Sequence, residues 1–222
     1  MTEATVTSTS VNADEWGEAR PGPLNGSVGE GLAQLLERIV REQPGVRSIC
    51  DLGCGNGYLA GRLGKLGYRV VGVDASTSYL DVAGRYYASD NVSFRRAVFG
   101  VDAATELLDE GAFDLVISSD VIEHLYRPAD LVETAARLLR PGGILVAGTP
   151  YHGYLKNVAI SVLNRWDEHH TVDWPGGHIK FFSVKTLSQL VANAGFSGLH
   201  FRFYGRAPWL WKNMICISKK AG

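Results

Sequence analysis

The 222-residue chain lacks the features of a secreted or membrane-spanning protein. Its three cysteines, Cys50, Cys54 and Cys216, are too few for a disulfide framework and are not spaced as paired metal ligands. No apolar run approaches the roughly 20 residues of a transmembrane helix, and the polar start has neither the basic nor the apolar segment of a signal peptide. We therefore expect a cytoplasmic protein with no integral membrane segment.

The chain also lacks an excess of charge of either sign. Its 22 basic and 23 acidic side chains give a formal net charge of −1. This balance provides no general attraction to a phosphate backbone, so we expect no nucleic acid partner. The chain does have a hydrophobic share of 45%, which is enough for one large core. We expect a mobile tail over residues 1–15 and a single domain over residues 16–222.

Apolar runs that are typical of strands alternate with helical patterns along the chain. The sequence predicts a first helix around 32–40, strands at 48–52, 69–73, 92–97, 113–118 and 143–149, and helices at 58–66, 78–87, 128–139 and 184–194, with a weak helix near 103–108. This alternation predicts a parallel sheet with helices on both faces, which is a three-layer, doubly wound α/β fold. Two last strands, near 199–204 and 213–218, are joined too closely for a parallel crossover and must be antiparallel.

A glycine-rich loop follows the first predicted strand. Gly53, Gly55 and Gly57 lie at the edge of the parallel sheet where such folds bind ligands. The third glycine is one position too early for a pyrophosphate fingerprint, and Asp51 ahead of the loop would repel phosphate. Asp74 ends the second strand, where a carboxylate can accept hydrogen bonds from ribose hydroxyls. A cap on the next helix is the simpler role for Asp74, but the loop favours an adenosine ligand without a pyrophosphate.

Four segments, taken in order, resemble class I S-adenosylmethionine-dependent methyltransferases. They are residues 51–57, Asp74, residues 120–124 (Asp-Val-Ile-Glu-His) and residues 139–143 (Leu-Arg-Pro-Gly-Gly). The resemblance implies a Rossmann-like, seven-stranded sheet with an antiparallel last strand, and S-adenosylmethionine as the cofactor. It also implies that the glycine loop lies under the methionine part of the cofactor and that Asp74 binds the ribose.

The cofactor contacts expected from this resemblance come from three strand ends. The residues are Asp51, Gly53, Cys54, Gly55, Asn56, Gly57, Asp74, Ala75, Val98, Phe99 and Ser119. The chain departs from the family after the third strand, where the usual acid is missing. Phe99 could stack on adenine there while Asp102 reaches its amino group.

His124 follows the fourth strand at the same edge of the sheet and is the best candidate for a catalytic base. An imidazole titrates near neutral pH and can take the proton of an acceptor hydroxyl. His152 and His178 are candidates to assist it. A histidine that only orients the loop or packs on the cofactor is the alternative, since many methyl transfers need little beyond alignment.

An insertion at about 150–180 is long for a plain connection, which predicts a substrate lid. The pairs Thr149-Pro150, Gly177-His178 and Lys180-Phe181 resemble this region of the ubiquinone-pathway O-methyltransferases. Apolar side chains recur at helical spacing, with Lys156 and Arg165 elsewhere on the surface, so one face could cover an apolar acceptor or pack on the domain. That face consists of Leu155, Val158, Ala159, Val162, Leu163 and Trp166. We predict substrate contacts from Tyr151, Tyr154, Trp166 and Trp209, and we expect no metal, although histidines and carboxylates in the lid keep a divalent ion as an alternative.

These observations favour an S-adenosylmethionine-dependent methyltransferase that acts on a hydroxyl of a small, partly apolar molecule. A phenol, a quinol, a sugar or a lipid-like metabolite would suit such a site, and the lid could contact a lipid surface. N- or C-methylation of a small metabolite, methylation of a protein and a non-catalytic S-adenosylmethionine-binding module remain the alternatives. Loss of dependence on His124 would favour a nitrogen acceptor, because an uncharged amine needs no strong base.

Overall fold

The computed structural model describes residues 19–99, 113–170 and 176–221. Its helices are α1 (Gly26–Arg41), α2 (Tyr58–Lys65), α3 (Thr77–Tyr87), α4 (Ala129–Leu138), α5 (Tyr154–Val162), α6 (Trp166–His170) and α7 (Val184–Asn193), and a 3-10 turn spans Ile122–His124. Its strands are β1 (Ser48–Leu52), β2 (Arg69–Asp74), β3 (Val92–Arg96), β4 (Phe113–Ser119), β5 (Leu139–Pro150), β6 (Phe196–Tyr204) and β7 (Asn213–Lys220). The weak helix near 103–108, Asp102 and the tail over 1–15 lie outside the described residues.

The strands form one seven-stranded sheet in the order β3-β2-β1-β4-β5-β7-β6. The first five strands pair in parallel, and β7 is antiparallel to both of its neighbours, β5 and β6. This topology confirms the three-layer, doubly wound fold and its antiparallel last strand. The short connection between β6 and β7 forces their antiparallel pairing, because a parallel return would need a long crossover.

Both faces of the sheet are buried, because successive side chains of a strand point to opposite sides. On β1, Ile49 joins an apolar cluster with α1 and α2, whereas Cys50 and Leu52 join the cluster that contains residues of α4 and α7. All five residues of β1 are buried, as expected for a central parallel strand. The near-continuous apolar runs of the sequence therefore reflect a sheet covered on both sides.

Several element boundaries differ from the sequence prediction, and α1, for example, begins at Gly26 and β7 ends at Lys220. The single helical pattern of the lid is divided into α5 and α6, and between them Asn164 has a φ of 51° that no helix continues. Strand β5 begins at Leu139 because residues 139–143 pair irregularly with the start of β4. Strand β6 begins at Phe196, immediately after Gly195, which has the positive φ of 86° typical of a helix end.

A polar network fixes α1 against α2. Arg62 on α2 donates to Glu30 of α1 over 2.7 Å and also pairs with Glu37, while the Tyr58 hydroxyl hydrogen-bonds to Glu30 and accepts from Arg62. Because Glu30 and Glu37 lie about two turns apart on α1, the network fixes the orientation of α1 relative to α2. Within the described ranges, no helix has both the length and the apolar character that a bilayer crossing requires. Location in the cytoplasm stays a prediction.

We expect Leu115→Ala to destabilise the fold strongly. Leu115 is fully buried on β4, between Ile49 of β1 and Ile144 of β5 in the register of the sheet. Truncation of such a side chain leaves a cavity and costs about 2–5 kcal/mol of unfolding free energy, measurable by urea denaturation. The matched control is Val162→Ala, whose side chain is 78% exposed, with an expected change within about 0.5 kcal/mol. Equal losses in the two variants would contradict the assignment of the core.

Candidate active site

A cavity of about 770 Å³ lies at the edge of the sheet where the parallel strands end. Its walls include residues that follow β1, β2, β3 and β4, and the first turns of α1 cover it from one side. Parallel pairing sets Leu52 beside Val73 and Ser119 beside Gly148, so the loops after these strands begin at one level. The cavity is therefore the expected ligand crevice of a doubly wound sheet.

Backbone hydrogen bonds hold the glycine loop across the ends of β1 and β2. The amides of Gly53 and Cys54 donate to the Val73 carbonyl over 2.7 and 3.0 Å, and the Gly55 amide donates to Asp74 Oδ2 over 2.8 Å. Gly53 has a φ of 78°, and a Cβ at this position would lie 2.3 Å from Val121 Cγ2. A larger residue would therefore be strained and would displace the loop after β4.

Two acids flank the loop, and burial changes the pKa of each. Asp51 is 3% exposed, and its Oδ2 has no hydrogen-bond partner within the described part of the chain. Burial raises the pKa of the Asp51 carboxyl to about 7, with a further contribution from the charge of Asp74. Burial also raises the pKa of Asp74, which accepts hydrogen bonds from the amides of Gly55 and Ser76. The Ser76 hydroxyl itself caps α3, so Asp74 is not the cap of that helix.

Most of the other residues predicted to contact the cofactor line this cavity. They are Cys54, Ala75, Val98, Phe99, Ser119 and Asn56. The buried Ser119 Oγ has no partner among the described residues and can bind a polar ligand atom. The Asn56 amide instead donates to the carbonyls of Arg20 and Gly22, which ties the segment before α1 to the loop.

Gly57 does not belong to the cavity wall. It has a φ of 80°, and a Cβ there would lie 2.7 Å from Ala83 Cβ and from Phe94. Its position begins α2 and lets α3 pack closely, which supports a positioning role. Contact of Gly57 with the cofactor stays a prediction.

The Glu123-His124 turn forms the other end of the cavity. Thr149 Oγ1 donates to Glu123 Oε2 over 2.9 Å, and the Glu123 carbonyl accepts from the amides of Ile179 and Lys180. His124 Nδ1 lies 3.3 Å from the Gly177 carbonyl oxygen. Because a carbonyl only accepts, the tautomer with its proton on Nδ1 would donate to Gly177 and leave Nε2 as the basic nitrogen. Burial lowers the pKa of His124 to about 4, so the ring is neutral at pH 7.

His178 and Glu123 complete a compact group around His124. The His124 and His178 rings meet edge to face with centroids 4.9 Å apart, and Glu123 Oε1 lies 3.9 and 4.0 Å from their Nε2 atoms. Burial raises the pKa of Glu123, and its Oε1 has no hydrogen-bond partner among the described residues. One ligand atom from each of the three residues lies within 4.8 Å of the others, so the group could hold a proton or a metal ion.

The lid presents a different face to the cavity than the sequence predicted. Lys156, expected on the surface, is buried and lines the cavity, and Ile160 is buried one turn later. Most of the apolar face that was expected to cover the acceptor is exposed to solvent, namely Leu155, Val158, Val162, Leu163 and Trp166. The spacing shows that these side chains share one face of a helix, but it does not show whether that face points to the protein or to solvent. In α5 the face points to solvent. Contact of this face with a lipid surface stays a prediction.

The four aromatic residues predicted to contact substrate lie outside the described cavity lining. Tyr154 is 79% exposed, and Trp166 and Trp209 are also exposed. Tyr151 is buried instead, and its ring meets the stacked rings of Phe203 and Trp211 edge to face. Tyr151 thus packs β5 against the last two strands, and its contact with substrate stays a prediction.

His152 also lies outside the cavity lining, and its catalytic role stays a prediction. It stacks on His170, with ring centroids 5.7 Å apart, and meets Phe181 edge to face. Burial lowers the pKa of His152 to about 3, with a smaller effect from the charge of Lys156, so the ring is neutral and serves as packing. His169, in contrast, contributes to the wall of the cavity.

Several cavity residues were missed in the sequence. Asp120 has a φ of 54° and accepts a hydrogen bond from Asn213 at the start of β7 over 2.6 Å. Burial raises the pKa of Asp120 to about 6. Arg206 and Lys212 line the cavity from the β6–β7 turn. The antiparallel pairing of the last two strands predicts this turn, but nothing in the local sequence pattern distinguishes its charges from ordinary surface charges.

The comparisons with known proteins agree with this architecture. Residues 25–200 match a family described as a methyltransferase domain. The ubiquinone biosynthesis O-methyltransferase of Caulobacter vibrioides is 35% identical over 136 residues, which are 57% of this chain and 52% of that protein. This chain therefore spans about half the length of the curated relative.

Solved structures of low sequence identity share the fold. The S-adenosylmethionine-dependent methyltransferase of Anabaena variabilis has a TM-score of 0.67 at 18% identity, covering 90% of this chain and 88% of its own. The N-methyltransferase NodS of Bradyrhizobium japonicum, solved with S-adenosylhomocysteine, has a TM-score of 0.64 at 14% identity, covering 89% and 90%. With the family match over most of its length, this chain belongs to the methyltransferase-domain family, and its resemblance to class I S-adenosylmethionine-dependent methyltransferases is confirmed.

Proposed function

We propose that this chain transfers a methyl group from S-adenosylmethionine to a hydroxyl of a small, partly apolar molecule. The observation that carries the proposal is that one cavity joins the glycine loop and its two acids to the Glu123-His124 turn. A donor site and a base thus face the same space. The curated relatives are named as O-methyltransferases of ubiquinone biosynthesis, which supports a hydroxyl acceptor such as a phenol or quinol.

The residues at the glycine loop fit the proposed cofactor. When bound, S-adenosylmethionine supplies a methyl group on a positively charged sulfur. Asp51 has a buried carboxylate oxygen that lacks a partner within the described residues, which suits an ammonium or hydroxyl donor. Asp74 retains acceptor capacity beyond its two backbone amides and can bind ribose hydroxyls. Val98 and Phe99 provide an apolar wall for the adenine.

The Glu123-His124 turn supplies the proton acceptor. His124 Nε2 would take the proton of the acceptor hydroxyl as the methyl group leaves the sulfur and bonds to the acceptor oxygen. The Gly177 carbonyl keeps the ring in the tautomer that allows this transfer. Glu123 Oε1 lies 3.9 Å from Nε2, and an ionised Glu123 would stabilise the resulting imidazolium. His178 packs against the ring and limits its rotation.

The direct test is transfer of labelled methyl from S-adenosylmethionine to molecules in a small-molecule extract. Label recovered in the organic phase supports a phenolic, quinol or lipid-like acceptor, whereas aqueous label indicates a sugar or amine. Asp74→Ala is the control for cofactor-dependent transfer. Absence of label above that control, in protein that binds the cofactor, contradicts the proposed activity and supports a binding module.

We expect Asp74→Asn to weaken binding of S-adenosylhomocysteine about 10- to 100-fold, since charge-assisted hydrogen bonds to the ribose are lost. Isothermal titration calorimetry measures this change. Asp90→Asn is the matched control, because Asp90 is an exposed acid outside the cavity lining. If Asp74→Asn binds S-adenosylhomocysteine as tightly as the wild type, Asp74 does not contribute to cofactor binding.

We expect the affinity for S-adenosylhomocysteine to rise with pH. Its ammonium group favours ionised Asp51, and a carboxyl pKa of about 7 makes the ionised form scarce below that pH and dominant above it. The dissociation constant should therefore fall about tenfold between pH 6 and pH 8. Calorimetry across this range should show a smaller slope in Asp51→Asn. The same slope in wild type and variant would assign the titration to another group, such as Asp74.

We expect His124→Gln to lower kcat about 100- to 10,000-fold while leaving the affinity for S-adenosylhomocysteine near that of the wild type, because the base is lost and the donor site is kept. His200→Gln, an exposed change on β6, is the control. An unaffected rate would favour a nitrogen or carbon acceptor. A chelator should not reduce the wild-type rate. Loss of activity with a chelator that added Mg²⁺ or Zn²⁺ restores would indicate a metal ion at Glu123, His124 and His178.

A further inference from the structure

Residues 20–25 form a strap in front of α1, at the donor end of the cavity. The donor end is the part with the glycine loop and its two acids, and the acceptor end lies beyond the Glu123-His124 turn, at α5 and the β6–β7 turn. The strap residues that line the cavity are Pro23, Leu24 and Asn25. A Cβ at Gly55 would lie 3.1 Å from Leu24 Cδ1, so the strap meets the glycine loop directly. A donor held by this loop would therefore lie beneath the strap.

Asn56, in the glycine loop, holds the strap through its side-chain amide. Nδ2 donates to the Arg20 carbonyl over 2.6 Å and to the Gly22 carbonyl over 2.8 Å, while Oδ1 accepts from the Tyr58 amide over 3.2 Å. The opposite orientation of the amide would place an oxygen against two carbonyls, so these partners fix which atom is Nδ2. Asn56 is 1% exposed, and both of its N–H donors bind the strap. The side chain therefore connects the strap to the start of α2.

A second side chain holds the strap from α3. The Gly22 amide donates to the Tyr87 hydroxyl over 2.7 Å, and the Tyr87 ring meets the Tyr58 ring edge to face. Gly22 has a φ of 105°, which residues with a side chain rarely adopt. In this conformation its amide and its carbonyl both reach side chains of the domain. Gly22 is thus held between Tyr87 and Asn56, which belong to different elements.

Local turn geometry separates the strap from α1. Asn25 and Gly26 both have a positive φ, of 63° and 58°, and the Asn25 side chain makes no capping hydrogen bond to α1. Leu24 is 45% exposed although it lines the cavity, so its side chain would gain apolar contact from a bound ligand. Segments that bury little apolar surface and are held by side-chain hydrogen bonds open locally far more often than the core unfolds. The strap is therefore able to open without unfolding of α1.

We infer that Asn56 is a positioning residue that holds the strap closed over the donor, so that opening of the strap controls the exchange of S-adenosylmethionine and its product. This inference rests on the proposed function, since it concerns the donor of the same cavity. A ligand enclosed by a segment that must move is released slowly, because the segment has to open first. The acceptor end lies on the other side of the His124 turn, so an acceptor can exchange while the donor stays beneath the strap.

The test is Asn56→Asp, which keeps the size of the side chain and the oxygen that accepts from Tyr58. The change replaces the two N–H donors by an oxygen that faces the Arg20 and Gly22 carbonyls. We expect the dissociation rate of S-adenosylhomocysteine to rise about tenfold, because the hydrogen bonds that hold the strap are lost. Surface plasmon resonance on the immobilised full chain measures this rate. In turnover, KM for S-adenosylmethionine should rise about tenfold while kcat is retained.

Asn91→Asp is the matched control. Asn91 Nδ2 also donates to two carbonyls, those of Gly64 and Tyr68, over 2.8 Å each, but Asn91 lies outside the cavity lining. This variant should lower the melting temperature and keep the wild-type dissociation rate. Equal acceleration in Asn91→Asp and Asn56→Asp would overturn the inference, because general destabilisation would then explain both.

Tyr87→Phe tests the strap from outside the cavity lining and also serves if Asn56→Asp fails to fold. It removes only the hydroxyl that accepts from Gly22, so we expect dissociation about threefold faster, with no change in the exposed neighbour Tyr86→Phe. Hydrogen exchange of the strap amides, measured by mass spectrometry, should be accelerated in Asn56→Asp and Tyr87→Phe and slowed by S-adenosylhomocysteine in the wild type. Faster dissociation in Asn56→Asp with unchanged exchange would overturn the inference, since Asn56 would then bind the donor itself.

The release rate separates this inference from the proposed function. If the product binds and the strap variants release it faster, the inference stands whether or not methyl transfer occurs. Methyl transfer by the wild type, together with wild-type release rates in Asn56→Asp and Tyr87→Phe, would support the proposed function and reject the role of the strap. Loss of kcat in Asn56→Asp without a rise in KM would also reject it, because Asn56 would then act in the transfer step.

Discussion

The common level at which the parallel strands end is the constraint on which the site depends. Backbone hydrogen bonds of the sheet fix each strand along its axis, and further bonds connect the loops that follow. Ser118 Oγ donates to the Leu52 carbonyl over 2.7 Å, and the Asp120 amide donates to the Gly148 carbonyl over 3.1 Å. Hydrogen bonds to the adjacent strand therefore position each loop. Residues that are distant in sequence meet across one cavity as a result.

Charge is distributed unevenly over this cavity. The buried acids lie at the loops after β1 and β2, the neutral His124 lies at the loop after β4, and the cations lie beyond β5. Each buried charge costs free energy in the absence of a partner, and that cost appears as raised carboxyl pKa values and a lowered lysine pKa.

The sequence predicted the donor end far better than the acceptor end. Gly53 and Asp74 were found because tight turns and strand ends restrict both residue type and position. The prediction for the lid was wrong because helical spacing places side chains on one face of a helix but does not show whether that face points inward. Lys156, expected on the surface, is buried, and Trp166, expected to cover the acceptor, is exposed. The covering position of α1 was missed for another reason. It depends on the network of Arg62 with Glu30 and Glu37, and such tertiary contacts have no local pattern.

The β6–β7 turn joins the acceptor end to the sheet through its base, where Lys212 bonds to Tyr204 and Tyr151. The side chains at its tip take no part in the glycine loop. Substitutions there can alter what the cavity admits while the donor end keeps its geometry. The β6–β7 turn thus contributes cavity-lining side chains from a hairpin whose base is held by the sheet and whose tip is exposed.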